Sequence, residues 1–172
     1  MLADDILETA RSLVAAYAAA GLRLVTAESC TGGLVAAAIT DVPGSSAVLE
    51  RGFVTYSNEA KAEALGVGLE LLRAHGAVSA QVAVAMAEGA LRHSRADVAV
   101  SITGIAGPGG ATETKPIGLV HLAVARSGRE TVDAVCHFGD LGRRQVREAA
   151  VRKAFEMLAE VLAEHAVPAQ RS

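Results

Sequence analysis

The chain of 172 residues has no tryptophan, three phenylalanines and two tyrosines, so aromatic side chains make up only 3% of it. Proteins that hold single-stranded nucleic acid stack bases on such rings, and this chain has few to offer. It also lacks a basic excess: 16 Lys and Arg against 19 Asp and Glu leave a formal net charge of −3. Phosphates along a duplex are neutralised by clustered cations, so no nucleic-acid partner is expected. Cysteine occurs twice, as Cys30 and Cys136, too sparsely for a disulfide framework or a zinc site. His75, His93, His121, His137 and His165 include no two at the spacing of a metal pair on one helix or strand. Neither a metal nor a cofactor is expected. No apolar run approaches the roughly 18 residues that span a bilayer, and Asp4 and Asp5 stand where a signal peptide would carry positive charge. These features predict a cytoplasmic protein with no membrane partner.

Hydrophobic residues, mainly alanine, valine and leucine, are 51% of the chain. That composition suits helices packed closely on a sheet, and the length suits one domain, taken as residues 1–166, with the polar tail 167–172 disordered. Ile6, Leu7, Ala10, Leu13, Val14 and Tyr17 recur at helical spacing before Gly21. Leu22 to Val25 and Glu50 to Tyr56 read as strands, and Asp97 to Thr103 alternates as a central strand does. Ile117 to Ala125 and Glu130 to Phe138 form a hairpin across Arg126-Ser127-Gly128-Arg129. His121 and His137 read as ordinary strand residues within it. Ser57 and Ser79 are N-cap residues for helices starting at Asn58 and Ala80, and a long helix carries Val146, Ala150, Ala154, Met157, Leu158 and Val161 on one stripe. The pattern predicts an α/β fold: a three-layer α/β/α sandwich with a mixed sheet of about five strands, including a C-terminal hairpin.

The chain is organised around Thr26-Ala27-Glu28-Ser29-Cys30-Thr31-Gly32-Gly33, on a strand-to-helix turn. Such a turn directs side chains past the strand's carboxyl end, where helix amides favour developing negative charge. Two readings stand side by side. Ser29 or Thr31 is the N-cap of the helix beginning at Leu34, or this turn carries a nucleophile. Lys61, in the first turns of its own helix, opposes the helix dipole; it is an exposed lysine paired with nearby glutamates, or a partly buried amine able to act as a base. Gly104-Ile105-Ala106-Gly107-Pro108-Gly109-Gly110 follows the central strand as a loop of exposed amides, without the lysine of a Walker A sequence or the spacing of a dinucleotide fingerprint. Arg143, Arg144 and Arg147 open the last helix, against its dipole, as a solvated basic face or a seat for an anion.

Five blocks in order carry a family resemblance: Ala27 to Gly33, Gly52 to Lys61, Ser101 to Pro108, Lys115-Pro116-Ile117-Gly118 and Phe138-Gly139-Asp140. Over about Leu2 to Leu162 the chain resembles the CinA carboxy-terminal domain family in its stand-alone form, whose members act as nicotinamide-nucleotide amidohydrolases, or nicotinamide mononucleotide deamidases, in pyridine-nucleotide salvage. The resemblance implies hydrolysis of the carboxamide to nicotinic acid mononucleotide and ammonia, by a Ser-Lys pair without a metal. It implies Ser29 as nucleophile, Lys61 as its base and Tyr56 beside them. Thr103, Gly104 and Gly107 would line the nucleotide site, and Arg147 would serve the phosphate or the transition state. The chain departs from many relatives in having Leu141-Gly142-Arg143-Arg144-Gln145 between Gly-Asp and Val-Arg, which makes Arg143 and Arg144 alternatives for that task. Relatives are commonly oligomers, so a homo-oligomer is expected.

Residues and resemblance converge on one mechanism: attack by Ser29, proton transfer through neutral Lys61, and an oxyanion held by amides near Thr31, Gly32 and Gly33. One rival moves the nucleophile to Cys30, whose thiol a helix N-terminus would acidify. Another is a nucleotide-binding or regulatory module without turnover.

Overall fold

The computed structural model describes residues 2–166; the tail expected to be disordered lies outside the described residues. The first helix, α1 (Asp4–Ala20), buries Ile6, Ala10, Leu13, Val14 and Tyr17, and stops at Gly21, whose φ of 67° places it in the left-handed region. Strand β1 (Leu24–Glu28) follows, every residue buried. It starts two residues later than the hydrophobic run Leu22 to Val25 suggests and continues through Thr26, Ala27 and Glu28. Helix α2 (Leu34–Thr40) leads through a single 3-10 turn, Ser45–Ala47, to β2 (Leu49–Val54).

Ser57 caps α3 (Asn58–Leu65), its hydroxyl accepting from the Ala60 amide at 3.0 Å. A short α4 (Leu69–His75) precedes α5 (Ala80–Arg92), which Ser79 caps by accepting from Val82 N–H at 3.3 Å. Then come β3 (Val98–Gly104), β4 (Leu119–Arg126), β5 (Val132–His137) and α6 (Arg143–Ala166). His121 lies in β4 and His137 in β5.

The strands form one mixed sheet in the order β2-β1-β3-β4-β5. β1 runs parallel to both β2 and β3, while β4 pairs antiparallel with β3 and β5. A strand buried on both sides needs a helix layer on each, and the core accordingly divides in two. One half packs α1, α2 and α6 around Leu24, Val98, Val100, Ile102 and Leu122. The other packs α3, α4 and α5 around Val25, Ala27, Ala99, Ala123 and Ala125. The fold is a three-layer α/β/α sandwich.

Strand order places the site. From β1 the chain crosses through α2 to β2 on one side, then returns over the opposite face to β3 on the other side of β1. The carboxyl ends of β1 and β3 therefore flank a topological switch point, where connections diverge and leave a crevice. Both signature loops, Ser29–Gly33 and Gly104–Gly110, leave their strands there.

Candidate active site

The crevice is a cleft of about 240 Å³, bordered by Ser29, Tyr56, Lys61, Thr103, Gly107 and Arg143 among others. Ser29 lies immediately beyond β1, and its amide donates to the Ile102 carbonyl at 2.9 Å, which fastens the turn to β3. Lys61 reaches the same point from α3 on the other helix layer. Its Nζ donates to the Thr55 carbonyl at 2.7 Å and lies 3.0 Å from Ser29 Oγ. Thr55 is held in turn by its amide, which donates to Glu28 O at 2.9 Å. The serine and the lysine are separated by 32 positions in sequence and joined at the switch point.

Lys61 is only 1% exposed, so it is not a solvated helix lysine. Burial drives its pKa down, against a smaller opposing contribution from Cys30. No carboxylate pairs with Lys61 among the described ion pairs. Without a counter-ion nearby, desolvation favours the neutral amine. A neutral amine has two N–H groups and one lone pair. Thr55 O can only accept, so one N–H is committed there and the lone pair is free to face the Ser29 hydroxyl.

The nearest carboxylate in sequence, Glu28, is spent elsewhere. Fully buried at 0% exposure, it accepts from the amides of Gly33 at 3.1 Å, Val35 at 3.0 Å and Ala36 at 3.0 Å. An anion seated on a helix N-terminus satisfies orphan donors and the dipole together. Neither Ser29 nor Thr31 therefore caps α2: the N-cap position is Gly33, at φ 96°, without a side-chain cap. The reading of these hydroxyls as caps is corrected by a glutamate one strand residue earlier, which leaves the Ser29 side chain free to face Lys61. No capping pattern names this residue, because its oxygens bond five to eight positions ahead.

The expected consequence of Glu28→Ala is chiefly structural. Three helix amides, that of Val35 buried and those of Gly33 and Ala36 partly so, lose their carboxylate acceptor, costing about 3 kcal/mol or more, and a chain of this length should melt roughly 10 °C lower. An unchanged melting temperature in a calorimetric scan would show that the carboxylate does not hold α2.

The remaining expected residues divide by position. Thr103, Gly104, Gly107 and Arg143 border the cleft. Thr103 is buried and donates to Ala77 O at 2.8 Å. Gly104 is fitted against β4, since a Cβ there would meet Leu119 O at 2.8 Å. Arg143 spans the mouth, Nη1 donating to Gly107 O at 2.9 Å and Nη2 to the Tyr56 hydroxyl at 2.8 Å. Tyr56 is itself 60% exposed.

Thr31, Gly32, Gly33, Arg144 and Arg147 do not border the cleft. Arg147 lies behind the loop: its Nη2 donates to Thr31 O at 2.7 Å, and it borders a hollow with Leu34, Ala37, Arg144 and Glu148. Gly32 N–H is taken by Ser29 O at 3.0 Å and Gly33 N–H by Glu28. Cys30 is buried, and burial pushes its thiol up to about 11, the reverse of an acidified nucleophile. Among the described residues no three His, Cys, Asp or Glu side chains gather as a metal cluster, and no helix is long and apolar enough to cross a membrane.

Residues 7–162 match the model of the CinA C-terminal domain. Nicotinamide-nucleotide amidohydrolase PncC of Escherichia coli (strain K12) is 50% identical over 159 residues, which cover 92% of this chain and 95% of that protein. A CinA-like protein of Anaeromyxobacter dehalogenans is 56% identical over 147 residues, 85% of this chain but 35% of that protein. Of two other curated relatives the chain spans only 33% and 26% of the length. The crystal structure of competence/damage inducible protein CihA from Agrobacterium tumefaciens is similar with a TM-score of 0.92 and 52% identity, over 95% of this chain and 98% of that one. The match runs through both halves of the sandwich and both loops of the cleft, and the chain belongs to the CinA C-terminal domain family.

Proposed function

We propose that this protein is an amidohydrolase that deamidates nicotinamide mononucleotide to nicotinic acid mononucleotide and ammonia, with Ser29 as nucleophile and Lys61 as general base and acid. The observation that carries the reading is the buried contact of 3.0 Å between Lys61 Nζ and Ser29 Oγ, without a carboxylate pairing the lysine among the described residues. The choice of substrate rests on the likeness to the Escherichia coli amidohydrolase.

Ser29 Oγ attacks the carboxamide carbon while the Lys61 lone pair takes its proton. The new ammonium then donates to Thr55 O and gives one proton to the leaving nitrogen, so ammonia departs and an ester remains. Water, deprotonated by the same amine, releases the acid and restores the serine. An amide requires protonation of its leaving group as well as activation of the nucleophile, and one amine serves both. The tetrahedral oxyanion needs donors that are not already engaged. Of the loop amides expected for this task, those of Gly32 and Gly33 are taken. Thr31 does not border the cleft, so the amide of Cys30, which does, is assigned to it.

The cleft of about 240 Å³ is smaller than the roughly 300–1,000 Å³ of sites that engulf a drug-sized ligand. It takes the amide-bearing ring, and the ribose phosphate lies toward the open mouth. Arg143 is there and is assigned to the phosphate, with Tyr56 as its support; Arg147 is assigned to holding the Ser29 loop from behind.

The test is ammonia release from nicotinamide mononucleotide by the purified chain in the presence of a chelator, with binding followed by calorimetry. Heat without product would mark a binding module. Treatment with iodoacetamide is expected to leave activity intact, because the Cys30 thiol is buried and kept protonated. Inactivation that tracks alkylation of Cys30 would move the nucleophile to the thiol.

A further inference from the structure

Helix α3 buries only Lys61 and Leu65, which lie four positions apart and therefore on one face. The lysine enters the cleft from this face, while Leu65 anchors the same helix in the half of the core that holds Val67, Leu72 and Met86. The end of α3 rests on α5 at Gly89. A Cβ on that residue would lie 2.1 Å from Leu65 O and 3.0 Å from its carbonyl carbon. The first distance is far inside van der Waals contact, so any side chain here would drive the two helices apart.

One turn further along α5 the ring of His93 folds back. Its Nδ1 donates to Gly89 O at 2.8 Å, and its edge comes within 3.5 Å of the place a Cβ would take on Gly66, the residue that ends α3. Gly89 and His93 thus make a seat for the last turn of α3. Glycine is a poor helix former, yet Gly89 stands inside the 13 residues of α5. The close approach of Leu65 is the physical reason for it.

We infer that Gly89, with His93 beside it, is a positioning residue for the reaction: it lets α3 settle deep enough for Lys61 to reach Ser29. The inference rests on the Ser-Lys reading and adds to it what holds the pair together. When a side chain is placed at Gly89, α3 is the element that yields. α5 is fixed to the sheet by Val82, Ala83, Met86, Ala87 and Ala90, all buried, and by Ser101 Oγ, which donates to Ala83 O at 2.6 Å. A short helix shifts as a rigid body, so the roughly 1 Å needed to clear the Leu65 carbonyl is passed on to Lys61. An exposed lysine would absorb such a shift in its flexible stem. Lys61 is 1% exposed and its Nζ is held by Thr55 O at 2.7 Å and Ser29 Oγ at 3.0 Å, so it must give up one of them.

Gly89→Ala is expected to lower kcat about 10²-fold, with KM for nicotinamide mononucleotide within about threefold of the parent, because Arg143 and the loops of the cleft are untouched. His93→Ala, at an exposed position, opens half of the seat and should lower kcat about fivefold. Both substitutions are then repeated in a Lys61→Met background, where neither should change the residual rate by more than about twofold, since the group they place is gone. Phe155→Leu, in α6 on the opposite helix layer, should lower the melting temperature and leave kcat unchanged. A G89A enzyme with the parent's kcat overturns the inference. So does a loss that persists in the K61M background or that F155L reproduces, because the glycine then acts on another group or on stability alone. If G89A does not fold, H93A decides in the same two backgrounds. A K61M enzyme as active as the parent overturns the Ser-Lys reading, and the inference with it.

Discussion

Ser29→Ala is expected to remove turnover, lowering kcat by at least about 10³-fold, while the affinity for nicotinamide mononucleotide changes by no more than about threefold. The asymmetry follows from where the hydroxyl sits. Ser29 Oγ touches Lys61 Nζ at 3.0 Å and is only 9% exposed, so it contributes little surface to a bound ring. Its amide, which anchors the turn on Ile102 O, is unchanged by the substitution. The nucleophile acts in the transition state and hardly at all in the ground state, so the loss belongs in kcat and not in binding. Single-turnover assays with calorimetric titration separate the two. Turnover within about tenfold of the parent would leave the reaction without this nucleophile.

Lys61 gives the second large effect, and two substitutions divide its roles. Lys61→Met removes the base, and Lys61→Arg keeps a cation but cannot deprotonate, since a guanidinium holds its proton above pH 12. Both are expected to lose about 10³-fold or more in kcat. An active arginine variant would mean that the position supplies charge and not proton transfer. In the parent, kcat/KM should rise with pH through the lowered pKa of Lys61 and then level off, because only the free amine accepts the serine proton.

The same burial makes a stability prediction with a definite sign. Unfolded, the lysine titrates near its ordinary value of about 10.4; folded, its pKa lies lower. Between the two the unfolded chain binds more protons, so stability rises with pH across that window and falls as pH drops toward the folded pKa. K61M lacks the titrating group and should lose this component of the slope. Melting curves at closely spaced pH values compare the two, and an identical slope would contradict a buried, depressed Lys61.

Much of the architecture was legible because it depends on local chemistry. Ser57 and Ser79 are caps wherever an adjoining helix begins, Gly21 and Gly66 supply the left-handed residue that ends one, and the alternation of Val98 to Thr103 is a strand's period. The motif reading of the Ser29 turn missed Glu28 for a physical reason. Its carboxylate was read as part of a motif, whereas its partners are amides of a helix that begins six positions later. Along the chain the resemblance favoured Arg147 for the anion, with Arg143 and Arg144 as alternatives. In three dimensions Arg143 faces the cleft and Arg147 reaches behind the loop to Thr31, 116 positions away.

By itself the sequence determined the types of element, the turns between them and a short roster of reactive side chains, because periodicity, capping and turn chemistry act over a few residues. Tertiary structure alone decided that the Lys61 amine would lie buried against Ser29, without a paired carboxylate among the described residues. That arrangement depends on strand order and on the packing of α3 over the sheet. Desolvation comes from the whole surroundings of a group, and no single stretch of the chain carries it.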